Sequence, residues 1–155
     1  MNLKTTNMSN YQQLLEKQRA FFATGKTRNS AFRIEQLKKL RQVVIEKHQD
    51  IEDSLYKDLR KCEFEAFTTE VTAMIDEINC AVENLEAWTN PVDVPSPPLF
   101  GPADSKIYYE PYGTVLILNT WNYPFVLCFK PLVGALAAGN CCVVKPSEIA
   151  PATSK

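Results

Sequence analysis

At 155 residues, with 45% hydrophobic and 23% charged side chains, the chain is ordinary globular material of about one domain's length. Its 17 Lys and Arg against 18 Asp and Glu leave a net charge of -1, which excludes the broad positive field that nucleic acid or an anionic lipid surface would select. The 5 cysteines (Cys62, Cys80, Cys128, Cys141, Cys142) form no CxxC pair and have one histidine, His48, for company, so a zinc site is excluded in favour of reduced, buried thiols.

The N-terminus MNLKTTNMSNYQQ lacks the apolar centre of a signal peptide. Lys130 and Pro131 interrupt the best apolar run before it reaches the roughly 18 residues a membrane helix needs. These features point to a cytoplasmic location.

Ser9 followed by Gln12 reads as a capping box, opening an amphipathic helix through Tyr11, Leu14, Leu15, Phe21 and Phe22 that stops at Gly25. A break at Thr27–Ser30 precedes a second helix carrying Phe32, Ile34, Leu37, Leu40, Val44 and Ile45. Ile51, Leu55 and Leu59 mark a third, after His48 and Gln49. His48 reads as a solvated residue near a helix end. From Glu63 to Thr89, Phe67, Val71, Met74, Ile75, Ile78, Val82, Leu85 and Trp88 recur every three or four residues, predicting the longest helix with a core-packing stripe. Its acidic residues, Glu70 among them, are assigned mostly to the solvated side.

Asn90–Asp104 holds Pro91, Pro95, Pro97, Pro98 and Pro102, which predicts an extended connector rather than helix or central strand. Lys106–Tyr112 suits an edge strand turning into the next segment. Thr114–Leu118 has no polar alternation, the pattern of a parallel strand covered on both faces. Pro124–Ala138 predicts a helix with Pro near its first position, Pro131 forcing a kink or late start, and Gly139 as a left-handed cap. Cys141–Val144 is a second apolar strand, completing a βαβ unit whose crossover is expected to be right-handed.

Ligands of open α/β sheets collect at the carboxyl ends of the strands. Those ends carry Thr120-Trp121-Asn122-Tyr123-Pro124 and Lys145-Pro146-Ser147-Glu148. The neutral amide of Asn122 suits donation to a developing oxyanion, and equally suits capping of the following helix. Lys145 and Glu148, three residues apart, suit a donor and an acceptor for the vicinal hydroxyls of one ribose, or a solvated ion pair in a turn.

TWNYP, then GALAAGN, then KPSE, in that spacing, resembles the N-terminal part of an aldehyde dehydrogenase of the class 3 and fatty aldehyde branch, from about Tyr11 onward. Asn119 departs from the small residue (Gly, Ala or Ser) often found there in the family. The resemblance implies an α/β fold in which N-terminal helices precede the first βαβ of a Rossmann-like parallel sheet, incomplete within these residues. It divides the chain into a helical scaffold at 1–89, a Pro-rich connector at 90–105 and the start of an NAD(P)-binding domain at 106–155. It implies oxidation of aldehydes, medium- or long-chain or aromatic, to carboxylic acids with NAD, and with NADP in some relatives. Asn122 would share the oxyanion hole, Thr120 and Trp121 would lie along the cofactor, and Lys145 and Glu148 would hold the adenine ribose, with no metal. A 2'-phosphate would be disfavoured by the Glu148 charge.

In the family a cysteine thiolate attacks the aldehyde and a glutamate activates water; none of the five cysteines here stands in the family's Gln-x-Cys context. Those motifs are expected beyond Lys155, so the chain alone is expected to be inactive, with an unfinished sheet prone to association. A homodimer is implied for the complete enzyme, with membrane association only through a C-terminal tail not among these residues. A rival reading is a short non-catalytic product that binds full-length subunits.

Overall fold

The structure is a computed structural model and describes residues 8–155. Helix α1 spans Met8–Ala23, α2 Ser30–Glu46 and α3 His48–Leu59. The stretch before Met8 and the side chain of Ser9, on which the Ser9–Gln12 capping box falls, lie outside the described residues; Gln12 Nε2 donates to Glu16 Oε1 at 3.2 Å. Asn29 caps α2 by accepting the Phe32 amide at 3.0 Å. His48 is exposed at the α2–α3 junction, as its position in the sequence suggests, with Nδ1 beside the Ile45 carbonyl.

The longest helical stretch begins as α4 at Glu63–Ala66, widens into a π-helical turn at Phe67–Thr72 and continues as α5 over Ala73–Thr89. Val71, Met74, Ile78, Ala81 and Leu85 from this stretch pack against Leu37 and Val44 of α2 and against Phe125, Val133 and Ala137, forming the main core. Burying such side chains contributes roughly 1.5–3 kcal/mol each. The stripe is therefore core, but two expected members, Phe67 and Trp88, are exposed.

The 90–105 connector is not uniformly extended. Val92–Val94 forms β1, antiparallel to β2 at Ser105–Ile107, with Pro98–Phe100 in a short 3-10 turn between them. Prolines 91 and 95 bracket β1, so its three residues keep their amides, and a two-stranded ribbon contains no central strand for proline to break. Ser96 Oγ closes the ribbon by donating to the Ala103 carbonyl at 2.6 Å. The edge strand expected at Lys106–Tyr112 is thus confined to Ser105–Ile107, where it pairs with β1.

That parallel sheet is β3, Thr114–Leu118, paired with β4, Cys141–Lys145, in the register Thr114 to Cys141 through Leu118 to Lys145. Helix α6, Val126–Ala137, connects them. It starts two residues later than Pro124 and runs through Pro131, so the proline does not delay the helix to its own position. Its end is a Schellman motif: Asn140 N–H donates to the Ala135 carbonyl and Gly139 N–H to Leu136, with Gly139 at φ 88°. A Cβ on Gly139 would lie 2.9 Å from the Thr27 carbonyl, so the close approach also requires glycine.

The buried Arg33 then donates to the Ala137 carbonyl at 2.7 Å, tying α2 to the negative end of α6. Coverage of β3 is one-sided. Ile117 is buried, whereas Leu116 and Leu118 on the opposite face are 61% and 70% exposed. The expectation of cover on both faces is not met within the described residues, because this chain brings no second layer onto that face. No helix here is long and apolar enough to cross a membrane, and no group of three metal-ligating side chains forms among the described residues.

Candidate functional site

The carboxyl ends of β3 and β4 lie side by side, because Leu118 and Lys145 are register partners. Just past them the Asn119 amide donates to the Lys145 carbonyl at 3.0 Å, continuing the ladder by one bond. Thr120, Trp121, Asn122, Lys145 and Glu148 are all exposed on this edge. The structure therefore brings the two motif turns to one edge of the sheet.

The loop between Asn119 and α6 is fastened by groups from distant parts of the chain. Asn119 Nδ2 donates to the Pro124 carbonyl at 2.6 Å, bracing the loop internally. A Gly, Ala or Ser at 119 would lack that bond, so the local departure has a structural use here. Glu70, with 0% of its surface exposed, accepts the Phe125 and Val126 amides on Oε2 at 2.9 and 3.0 Å. Helix α6 has no side-chain cap of its own, and the carboxylate supplies one to its positive end. Lys61 completes the cluster, donating to Glu70 Oε1 at 2.5 Å while its ammonium lies 3.6 Å from the centre of the Tyr123 ring.

Glu70 is a correction to the solvated face expected for it. It sits four residues after Ala66 and four before Met74, both buried, within the π-helical turn, so the helical spacing alone places it on the apolar face. A buried carboxylate must be paired and hydrogen-bonded, and Lys61, also buried, is the partner.

The second turn is held from below. Asp58 of α3 accepts the Ala152 amide at 3.0 Å and the Thr153 amide at 2.7 Å, and Ser154 Oγ donates to the Ser147 carbonyl at 2.7 Å. Lys145 and Glu148 meet as an exposed ion pair, 55% and 78% exposed. The Lys145 hydrogen bond and charge hold the Glu148 carboxyl below the usual carboxylate range. The Asn140 of the GALAAGN stretch is buried and structural: its Oδ1 accepts the Gly113 amide at 2.9 Å, setting the turn into β3.

Cys141 and Cys142 occupy the opposite end of β4 from Lys145, roughly 10 Å or more away at strand rise. Burial pushes the thiols of Cys128 and Cys141 up, and burial together with neighbouring Cys141 raises Cys142 to about 11.

Residues 2–155 match the profile of the Aldehyde dehydrogenase family. The chain belongs to the aldehyde dehydrogenase family. It is 45% identical over 149 residues to aldehyde dehydrogenase family 3 member B1 of Bos taurus, covering 96% of this chain and 32% of that one. It is 44% identical over 144 residues to 4,4'-diaponeurosporen-aldehyde dehydrogenase of Staphylococcus aureus, covering 93% and 31%. The solved substrate-bound state of Staphylococcus aureus AldH superposes with a TM-score of 0.90 at 42% identity over 99% of this chain and 32% of that chain. The chain thus spans about a third of the length of the family members it matches. The class 3 branch and the α/β fold read from the sequence both hold.

Proposed function

We propose that this chain provides the ribose-binding and oxyanion-stabilising edge of an NAD(P)-dependent aldehyde dehydrogenase that oxidises medium- or long-chain or aromatic aldehydes to carboxylic acids. The supporting observation is the bond from the Asn119 amide to the Lys145 carbonyl, which sets the Asn122 loop beside the Lys145–Glu148 turn on one sheet edge. The exposed Lys145 ammonium donates to a ribose hydroxyl and the Glu148 carboxylate accepts from its neighbour. They pair with each other here and both are solvent-accessible, so the pair opens to exchange that contact for two vicinal hydroxyls. Thr120 and Trp121, exposed on the same edge, lie along the bound cofactor in this reading. When bound, NAD(P)+ supplies the two-electron acceptor.

Asn122 donates its side-chain amide to the oxygen that gains charge when the aldehyde is attacked. An amide needs no proton of its own to do so, and a fixed loop avoids reorganisation as the charge forms. The negative charge of Glu148 disfavours a 2'-phosphate, which favours NAD, although a Canis lupus familiaris relative is called NADP-preferring and dimeric. A homodimer is proposed here too. The attacking thiol is assigned to none of the five cysteines: burial raises the thiols of Cys128, Cys141 and Cys142, and the latter two stand at the opposite end of β4 from Lys145.

The test is steady-state oxidation of an aldehyde by the intact protein and its Asn122→Ala variant. A fall in kcat of about 10²-fold or more, with little change in either KM, is expected for a bond made mainly in the transition state. Normal turnover in the variant removes Asn122 from the oxyanion role.

A further inference from the structure

The geometry points to Glu70, with Lys61, as a positioning residue for the Asn122 amide, an inference that rests on the catalytic reading of Asn122. Glu70 and Lys61 grip the chain on the C-terminal side of Asn122. Lys61 covers the ring of Tyr123, the next residue, and Glu70 takes the amides of Phe125 and Val126. Asn119 grips the other side through the Lys145 carbonyl and the Pro124 carbonyl. Asn122 itself is exposed between these anchors. Its amide direction is therefore set by the backbone around it, and the backbone is set by the buried pair.

The carboxylate is suited to this in a way that an amide is not. Both Glu70 oxygens accept, one from Lys61 and one from the two backbone amides. Glutamine has one accepting oxygen and one NH2, so in either orientation an N–H group faces a donor. The side chain keeps its size and the core its packing, while the grip on Phe125 or on Lys61 is lost. Displacement of a catalytic group by about 1 Å can cost 10²-fold in rate, so loosening this loop lowers turnover without any contact between Glu70 and substrate.

The experiment is a double-mutant cycle in the intact protein, with Glu70→Gln measured in the wild-type and in the Asn122→Ala background. Alone, Glu70→Gln is expected to lower kcat by about tenfold or more, with the KM values for aldehyde and cofactor within about twofold. In the Asn122→Ala background the same change is expected to cost almost nothing, since the group it positions is gone. Amide hydrogen exchange of residues 119–126 is expected to quicken in Glu70→Gln while that of α2 is unchanged.

Should Glu70→Gln fold poorly, Lys61→Met/Glu70→Leu removes the buried charges together with the acceptor of the Phe125 and Val126 amides, and is expected to show the same kcat loss and the same dependence on Asn122. An equal kcat loss in both backgrounds, or none in the first, overturns the positioning role. Normal turnover in Asn122→Ala overturns the catalytic reading of Asn122 instead, so the two failures are told apart.

Discussion

The Glu70 carboxylate reaches across 55 residues of chain to accept the Phe125 amide at 2.9 Å. This bond joins the π-helical turn to the start of α6, and through Lys61 it carries a buried charge that must remain compensated. Glu70→Ala strands the Lys61 ammonium and leaves two helix amides without an acceptor. A loss of about 3–5 kcal/mol is expected, read as a lowered urea midpoint of the intact protein. Lys61→Met/Glu70→Gln is expected to recover part of it. A Glu70→Ala variant as stable as the parent would show that water replaces the carboxylate.

Two carboxylates of α3 give opposite pH signatures. Burial alone would raise Asp58, but the Thr153 amide, the Ala152 amide and the Thr153 hydroxyl together hold it below its ordinary value. A lowered folded value means stabilisation that is complete above the unfolded value of about 3.9 and is lost as pH falls through the folded one. Burial raises Glu52, partly offset by His48 and reinforced by Glu63 and Asp53. A raised folded value means a destabilising charge above it, relieved as pH falls. Asp58→Asn is therefore expected to melt lower than the parent near neutral pH, a difference that fades as pH falls below about 3.9, and Glu52→Gln higher, a difference that fades as pH falls through the raised folded value and is gone below the unfolded value of about 4.3. Melting curves across that range check it, and parallel shifts at all pH values would contradict it.

Much of this was legible in the sequence, because strong periodicity and paired end signals leave little freedom. Gly139 after an apolar helix predicts its cap, and TWNYP and KPSE fall at strand ends because β3 and β4 are uninterrupted apolar runs. Residue type misleads at Glu70: a glutamate on a long helix is ordinarily solvated, Lys61 lies nine residues away before the helix begins, and Phe125 lies 55 residues away. The β1–β2 ribbon is masked in the sequence for a related reason. Five prolines argue against a central strand, but a three-residue strand between two of them needs none of the amides they remove. The clamp from Asn119 to Pro124 is a side-chain bond that no periodicity encodes.

The proposal that none of the five cysteines is the attacking thiol has a chemical test. Cys62 and Cys80 are exposed, whereas Cys128 and Cys141 are buried with raised thiol values and Cys142 is pushed up to about 11. The thiolate is the reacting form. Brief iodoacetamide treatment of the native protein at mildly alkaline pH is expected to label Cys62 and Cys80 and to spare the other three, as read by peptide mapping. Rapid modification of Cys141 or Cys142 would instead mark the amino end of β4 as a reactive site.

Lys145 and Glu148 are expected to divide cofactor affinity and cofactor choice between them. Lys145→Ala removes a charged donor to a ribose hydroxyl, and its exposed position limits the effect to a KM for NAD raised on the order of tenfold. At saturating cofactor, kcat is expected to stay within about twofold, because the bond is made equally in ground and transition states. The aldehyde KM should not move. Glu148→Gln retains an acceptor for the second hydroxyl but loses the charge that repels a 2'-phosphate, so the KM for NADP is expected to fall relative to that for NAD. Initial rates of the intact protein with each cofactor varied in turn separate the two effects. Unchanged KM values for both cofactors in Lys145→Ala would remove Lys145 from the ribose site and leave its contact with Glu148 as a surface ion pair.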